Sequence, residues 1–126
     1  MTSGKGKRVL LVEDDPVVAM VVEDTLRDMG LEVFVDLSLV DALGDVESGE
    51  FDAAVVDVGL RGEDARAVMV ALKEQGVPFM VMSGGDLTTL ASEFPAVRMI
   101  SKPLDMHSLQ KIVDDLLGTS PATRPF

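Results

Sequence analysis

The feature that most constrains the fold is a regular alternation of short apolar runs with longer amphipathic segments. Runs such as Val9–Val12 suit strands that are covered on both faces, while Val18, Val22 and Leu26 recur at helical spacing. Repeated strand–helix alternation in a chain of 126 residues predicts parallel strands joined by right-handed crossovers. The pattern therefore predicts an α/β fold, with a doubly wound five-stranded parallel sheet and five helices.

Capping and turn residues give the predicted boundaries of these elements. Asp15, Ser38 and Asp105 stand just before amphipathic segments, where a side-chain oxygen can accept a hydrogen bond from the first helical turn. Gly30 and Gly76 follow two of the segments, as is typical of helix ends. The predicted strands cover residues 9–12, 31–35, 53–58, 79–82 and 97–100, and the predicted helices cover residues 16–29, 38–49, 63–75, 87–94 and 105–116.

Length and composition narrow the class of protein. We expect a single domain over residues 1–126, with a folded core at 7–117, a flexible leader at 1–6 and a flexible tail at 118–126. The chain has 22 acidic and 11 basic residues and a net charge of −11, which argues against binding to nucleic acid or to an anionic membrane surface. Cysteine is absent, and neither a signal peptide nor a membrane span is visible, so we expect a cytoplasmic protein.

Polar residues stand at the predicted carboxyl ends of four strands. In an open doubly wound sheet, ligands bind outside those ends, so residues that are far apart in sequence meet there. The residues at these ends are Glu13 and Asp14 after the first strand, Asp57 in the third, Ser83, Gly84 and Gly85 after the fourth, and Lys102 after the fifth.

These residues suit a cation and a phosphate. Two unit charges about 5 Å apart repel by roughly 3 kcal/mol at an effective dielectric constant of about 20, so the three carboxylates favour a bound divalent ion. Oxygen ligands without histidine or cysteine indicate Mg²⁺ or Mn²⁺. Lys102 offers a positive charge, Ser83 a hydroxyl, and the glycines backbone N–H groups that an anion can approach. The cluster therefore predicts a site for an aspartyl-phosphate.

Four segments together resemble the receiver domains of two-component response regulators. Residues 9–16 read VLLVEDDP, residues 55–60 VVDVGL, residues 80–84 MVMSG and residues 100–103 ISKP. The resemblance covers about residues 7–117 and implies the flavodoxin-like, CheY-like arrangement with strand order 2-1-3-4-5.

The resemblance implies a role for each carboxylate. Asp57 is the expected phosphoacceptor, which takes a phosphoryl group from a histidine kinase or a phosphotransfer protein. Asp14 is expected to ligate Mg²⁺ (or Mn²⁺) directly, and Glu13 largely through water. Asp57 and the backbone carbonyl of Gly59 are expected to complete the protein ligands.

The resemblance also implies the contacts of the phosphoryl group. The hydroxyl of Ser83 turns toward it, Lys102 pairs with its charge, and the backbone N–H groups of Val58 and Gly84 bind its oxygens. Many receivers have an aromatic switch residue three positions before the lysine, and this chain has Met99 there. Met99 is therefore the expected switch residue.

The implied partners are proteins. A histidine kinase or phosphotransfer protein supplies the phosphoryl group, and a downstream protein binds the face of the fourth helix, fifth strand and fifth helix, with no nucleic acid and no membrane. The sequence leaves open whether the chain forms a homodimer. His107, the one histidine, is expected to be solvated and to take no part in phosphotransfer.

Alternatives stay open at this point. The chain could be a phosphate shuttle or sink in a relay, or a receiver excised from a hybrid kinase. A Mg²⁺-dependent aspartyl phosphatase needs a second acid two residues after the nucleophile, where this chain has Gly59. A nucleotide- or flavin-binding domain is disfavoured because no Gly-x-Gly-x-x-Gly follows the first strand. The complete set of acids, serine and lysine argues against a degenerate receiver that only binds partners.

Overall fold

The computed structural model describes residues 6–58, 65–85 and 88–118. Within these ranges five parallel strands form one sheet in the order β2-β1-β3-β4-β5, which confirms the predicted fold class and the strand order that the resemblance implies. The strands are β1 Arg8–Val12, β2 Glu32–Asp36, β3 Ala53–Asp57, β4 Phe79–Ser83 and β5 Arg98–Ser101. The helices are α1 Pro16–Asp28, α2 Leu39–Ser48, α3 Arg66–Glu74, α4 Thr88–Glu93 and α5 Met106–Leu116.

The start of α3 differs most from the prediction, because the helix begins at Arg66 instead of residue 63, and Ala65 lies in a turn. The other bounds agree to within one residue, as at β3, which ends at Asp57 instead of residue 58. No side chain caps α3, so its start leaves little signal in the sequence. Residues 59–64 and 87 lie outside the described residues, as do the predicted leader and tail apart from residues 6 and 118.

The core lies on both faces of the sheet, as the packing of β1 shows. Val9 and Leu11 of β1 pack with α1 and α5, whereas Leu10 and Val12 pack with α2 and α3. All four side chains are fully buried, and each contributes about 1.5–3 kcal/mol by leaving water. Burial of both faces makes the central strands a rigid base for the residues at their carboxyl ends.

Asp15 caps α1 as predicted. Its Oδ1 accepts hydrogen bonds from the N–H groups of Val17 at 2.9 Å and Val18 at 3.4 Å. The other predicted caps act in the same way on α2 and α5, and they are Ser38 and Asp105. The cap on α1 fixes the turn that carries Glu13 and Asp14.

The helices are short. The longest in the described ranges, α1, has 13 residues, fewer than the roughly 20 apolar residues of a membrane span, and none of the described helices qualifies as one.

Candidate functional site

The register of the sheet brings the predicted site residues to one edge. Val12, the last residue of β1, pairs with the residue before Asp57. Ser83, the last residue of β4, pairs with the residue before Lys102. Glu13 follows Val12 directly, so residues from four strand ends meet at the same level of the sheet.

Three carboxylates converge there. Glu13, Asp14 and Asp57 each offer an oxygen, and these oxygens lie within 4.8 Å of one another. Glu13 is fully buried and Asp57 is 1% exposed, while Asp14 is half-buried. Ionised carboxylates this close, with so little water, require positive charge nearby.

Lys102 supplies one positive charge. Its Nζ donates to Oδ2 of Asp57 at 2.9 Å and to Oε1 of Glu13 at 3.5 Å. Burial lowers the pKa of the Lys102 ammonium, but the hydrogen bond and the charge attraction to Asp57, with a smaller effect of Glu13, outweigh it and raise the pKa above its usual value. The lysine is therefore charged wherever the two acids are ionised.

One lysine does not neutralise the cluster. Burial, followed by a hydrogen bond and charge repulsion with Asp57, raises the pKa of Glu13 to about 7. The backbone N–H of Asp15, which donates to Oε2 of Glu13 at 3.1 Å, and the charge of Lys102 offset only part of this. Without a metal, Glu13 therefore holds a proton up to a much higher pH than an ordinary glutamate does.

The donor set fits a hard divalent cation. The three converging groups are all carboxylates, which are the ligands that Mg²⁺ and Mn²⁺ use together with water and phosphate oxygens. A divalent ion held by these carboxylates would supply positive charge, which the raised pKa of Glu13 shows to be in short supply. The predicted fourth ligand, the carbonyl of Gly59, lies outside the described residues.

Ser83 and Gly84 stand beside the lysine. The backbone N–H of Lys102 donates to the carbonyl of Ser83 at 2.8 Å, which holds the ends of β4 and β5 together. The hydroxyl oxygen of Ser83 accepts a hydrogen bond from the N–H of Gly85 at 3.0 Å. A Cβ added to Gly84 would lie 4.0 Å from Cδ of Lys102, so the backbone there runs close to the lysine stem.

Two predicted site residues, Val58 and Met99, are placed differently from the carboxylates and Lys102. The N–H of Val58 donates to the carbonyl of Met82 at 3.0 Å, so a phosphate oxygen would compete with the sheet for that group. Met99 lies inside β5, half-buried against the cluster of core residues that packs on α3, and not at the strand end. His107 is exposed, as expected.

A second acidic pair escaped the sequence reasoning. Burial, followed by a hydrogen bond and charge repulsion with Asp45, raises the pKa of Asp36, at the end of β2, to about 7. Asp45, on α2, is half-buried. The carbonyl of Asp36 accepts from the N–H of Glu13 at 3.1 Å, which places this pair next to the carboxylate cluster. Two acids four residues apart on one face of α2, Asp41 and Asp45, were the available signal.

A family comparison matches most of the chain. The model of the response regulator receiver domain matches residues 9–114.

Curated relatives are longer proteins. The transcriptional regulatory protein TcrA of Mycobacterium tuberculosis is 28% identical over 125 residues, which cover 95% of this chain and 49% of that protein. The sensor histidine kinase GacS of Pseudomonas protegens is 27% identical over 124 residues, which cover 88% of this chain and 13% of that protein. The chain thus spans about half, or less, of the length of these relatives.

Solved structures agree with the fold over nearly the whole chain. A response regulator receiver protein from Sinorhizobium medicae superposes with a TM-score of 0.83 at 26% identity, covering 90% of this chain and 95% of that one. The receiver domain of a sensor histidine kinase from Pseudomonas aeruginosa superposes with a TM-score of 0.76 at 26% identity, covering 90% and 98%. That structure holds a magnesium ion coordinated in its active site cleft.

Proposed function

Because the chain belongs to the response regulator receiver domain family, a family of signalling domains in two-component systems, we propose that it accepts a phosphoryl group on Asp57 in a Mg²⁺-dependent reaction. The observation that carries the proposal is the position of Asp57, which is 1% exposed, within 4.8 Å of two further carboxylates and 2.9 Å from the ammonium of Lys102. Phosphoryl transfer depends mainly on positioning and on neutralising charge, and both are provided around this one side chain.

The reaction is a displacement at phosphorus. An Oδ atom of Asp57 forms the new P–O bond, and the P–N bond of a phosphohistidine donor breaks, with its electron pair remaining on the imidazole, which takes up a proton. The nucleophile needs no general base, since an aspartate attacks as its carboxylate, and the ammonium of Lys102 pairs with that charge.

Glu13, Asp14 and Asp57 are the residues that would hold the magnesium ion. When bound, the ion neutralises negative charge on the carboxylates and on the phosphoryl oxygens. The carbonyl of Gly59 remains part of the proposal. The magnesium ion in the cleft of the Pseudomonas aeruginosa receiver supports this assignment.

Three groups around Asp57 receive the phosphoryl oxygens. Lys102 exchanges its contact with the Asp57 carboxylate for one with the phosphoryl group, which keeps its charge paired. The Ser83 hydroxyl leaves the N–H of Gly85 and turns to the phosphoryl oxygen. The N–H of Gly84 binds a further oxygen. The N–H of Val58 can bind one as well, once it has left the carbonyl of Met82.

The partners follow from the proposed chemistry. The phosphoryl donor is a histidine kinase or a phosphotransfer protein, since receiver domains interact with proteins of these classes. The output is protein contact through the face of α4, β5 and α5, with Met99 of β5 as the switch residue, and neither nucleic acid nor membrane takes part. A second role, as an intermediate phosphate carrier in a relay, is favoured by the relatives that are sensor histidine kinases.

Intact-mass spectrometry tests the proposal. The protein is mixed with Mg²⁺ and a small phosphodonor such as acetyl phosphate, and we expect the mass of one phosphoryl group to be added, in acid-labile form. Asp57→Asn should abolish the addition, while Asp24→Asn, which changes an exposed acid on α1, should leave it intact. Absence of the addition, or its persistence in Asp57→Asn, would contradict the proposal.

A further inference from the structure

The helix α4 is the least buried helix among the described elements. It has six residues, and none of its side chains is buried. Leu90 packs only partly against the core, together with Phe94, which follows the helix. A helix this short is unstable on its own, so its position depends on the few contacts that it makes with the rest of the domain.

An ion pair ties the end of α4 to the start of α3. The Nε and Nη2 atoms of Arg66 lie 2.8 Å and 2.7 Å from the same oxygen, Oε1 of Glu93. The pair joins residues 27 positions apart, and its side chains are 40% and 43% exposed. Water screens such a pair, so its contribution is small, but it acts on a helix with no buried side chain.

The positions of the two charges are unfavourable for the helices themselves. Arg66 is the first residue of α3, where the helix dipole disfavours a cation, and Glu93 is the last residue of α4, where it disfavours an anion. Neither charge favours its own helix, and the two charges lie in direct contact.

Both helices of this ion pair follow, in chain order, a strand that ends at the candidate site. Arg66 is reached from Asp57 along the chain that joins β3 to α3, and α4 is reached from Ser83 along the chain that joins β4 to α4. The ion pair therefore joins the helix that follows Asp57 in the chain to the helix that follows Ser83.

We propose that the Arg66–Glu93 ion pair is a latch that holds α4 against α3 and sets how often α4 leaves this position. The part of the proposal that concerns signalling rests on the proposed function: it holds that release of α4 and phosphorylation of Asp57 favour each other, so that a broken latch increases phosphorylation.

Hydrogen exchange of the Phe94 amide tests the latch without any phosphorylation. That N–H donates to the carbonyl of Leu90 at 2.8 Å at the end of α4, so it reports on the helix. In Arg66→Gln and in Glu93→Gln we expect exchange up to about fivefold faster than in the wild type, as a weak surface pair allows. Helix-dipole effects alone predict the opposite sign, because each substitution removes an unfavourable charge from a helix end.

A charge swap and a matched control complete the experiment. The double variant Arg66→Glu/Glu93→Arg should return the exchange rate to that of the wild type or below. Arg98→Gln, which breaks an ion pair of the same kind with Asp115 between β5 and α5, should leave the Phe94 amide unchanged. High salt should speed exchange in the wild type and not in the single variants.

Two results would overturn the latch. One is exchange that is unchanged or slower in both single variants, and the other is a charge swap that exchanges as fast as they do. With a small phosphodonor, both single variants should be phosphorylated faster than the wild type. Equal phosphorylation rates in the variants and the wild type would show that the latch does not affect Asp57. If the wild type takes up no phosphoryl group, the proposed function is contradicted, and the latch is then judged by hydrogen exchange alone.

Discussion

The Nζ atom of Lys102 lies 2.9 Å from Oδ2 of Asp57, although the two residues are 45 positions apart. The contact joins the ends of β5 and β3 across β4, which lies between them in the sheet. It puts a fixed positive charge on the one nearly inaccessible aspartate that ends a central strand. The carboxylate is thus paired with the group that would also pair with a phosphoryl oxygen.

Magnesium should stabilise the protein. Millimolar Mg²⁺ is expected to raise the melting temperature at neutral pH, because the ion binds the folded carboxylate cluster and not the unfolded chain. At ten times the dissociation constant the gain is about 1.4 kcal/mol. Differential scanning fluorimetry should show this rise for the wild type and lose it in Asp14→Asn, while Asp24→Asn keeps it. A melting temperature indifferent to Mg²⁺ would count against the cation site.

Without metal, the stability of the protein should fall as the pH rises toward neutral. Glu13 has a pKa of about 7 in the folded protein against an ordinary value of 4.5, so the fold favours its protonated form. That contribution is complete below about pH 4.5 and is lost as the pH rises through about 7. Urea unfolding in the presence of a chelator should show the loss.

Two comparisons identify the group responsible for this pH dependence. Glu13→Gln should flatten the dependence, because the amide does not ionise. Added Mg²⁺ should also flatten it in the wild type, since the ion favours the ionised form. An equal slope in the wild type and in Glu13→Gln would contradict the assignment to Glu13.

Replacement of the lysine should cost more than loss of a surface ion pair. In Lys102→Met the buried carboxylates of Glu13 and Asp57 lose their cation, and breaking a buried pair in this way costs about 3–5 kcal/mol; the 28% exposure of the lysine side chain places the cost at the lower end. Chemical denaturation without metal measures it. Lys102→Arg keeps the charge and should lose less, and a Lys102→Met variant as stable as the wild type would contradict the account.

The acidic pair at the end of β2 predicts a second pH effect of the same sign. The pKa of Asp36 is raised to about 7, so its ionised form is disfavoured near Asp45 once the pH exceeds that value. Asp36→Asn should therefore raise the melting temperature at about pH 8 and change it less at about pH 5. It should leave phosphorylation of Asp57 intact. A variant destabilised equally at both pH values would show that the carboxylate is needed for packing instead.

Much of the fold and the site could be predicted from local patterns. The apolar run at Val9–Val12 indicated a strand buried on both faces, and the structure buries all of it. The carboxylates and Lys102 were predicted to meet because parallel strands bring their carboxyl ends to one edge. That inference needs only the strand order and the period of the pattern.

The remaining features depend on tertiary placement. The pairing of Asp36 with Asp45 arises where the end of β2 meets α2, and each acid alone is an ordinary surface residue in sequence. The Arg66–Glu93 pair likewise requires the relative position of two helices. The bond from the Val58 N–H to Met82 depends on where β3 leaves the sheet, a boundary that the apolar run at residues 53–58 does not mark.

The most direct test of the account identifies the phosphorylated residue itself. The protein is treated with Mg²⁺ and acetyl phosphate, reduced with borohydride, which converts an aspartyl phosphate to homoserine, and then mapped by peptide mass spectrometry. The account predicts homoserine at position 57 and unmodified aspartate at position 14. Homoserine at another aspartate, or at none, would contradict it.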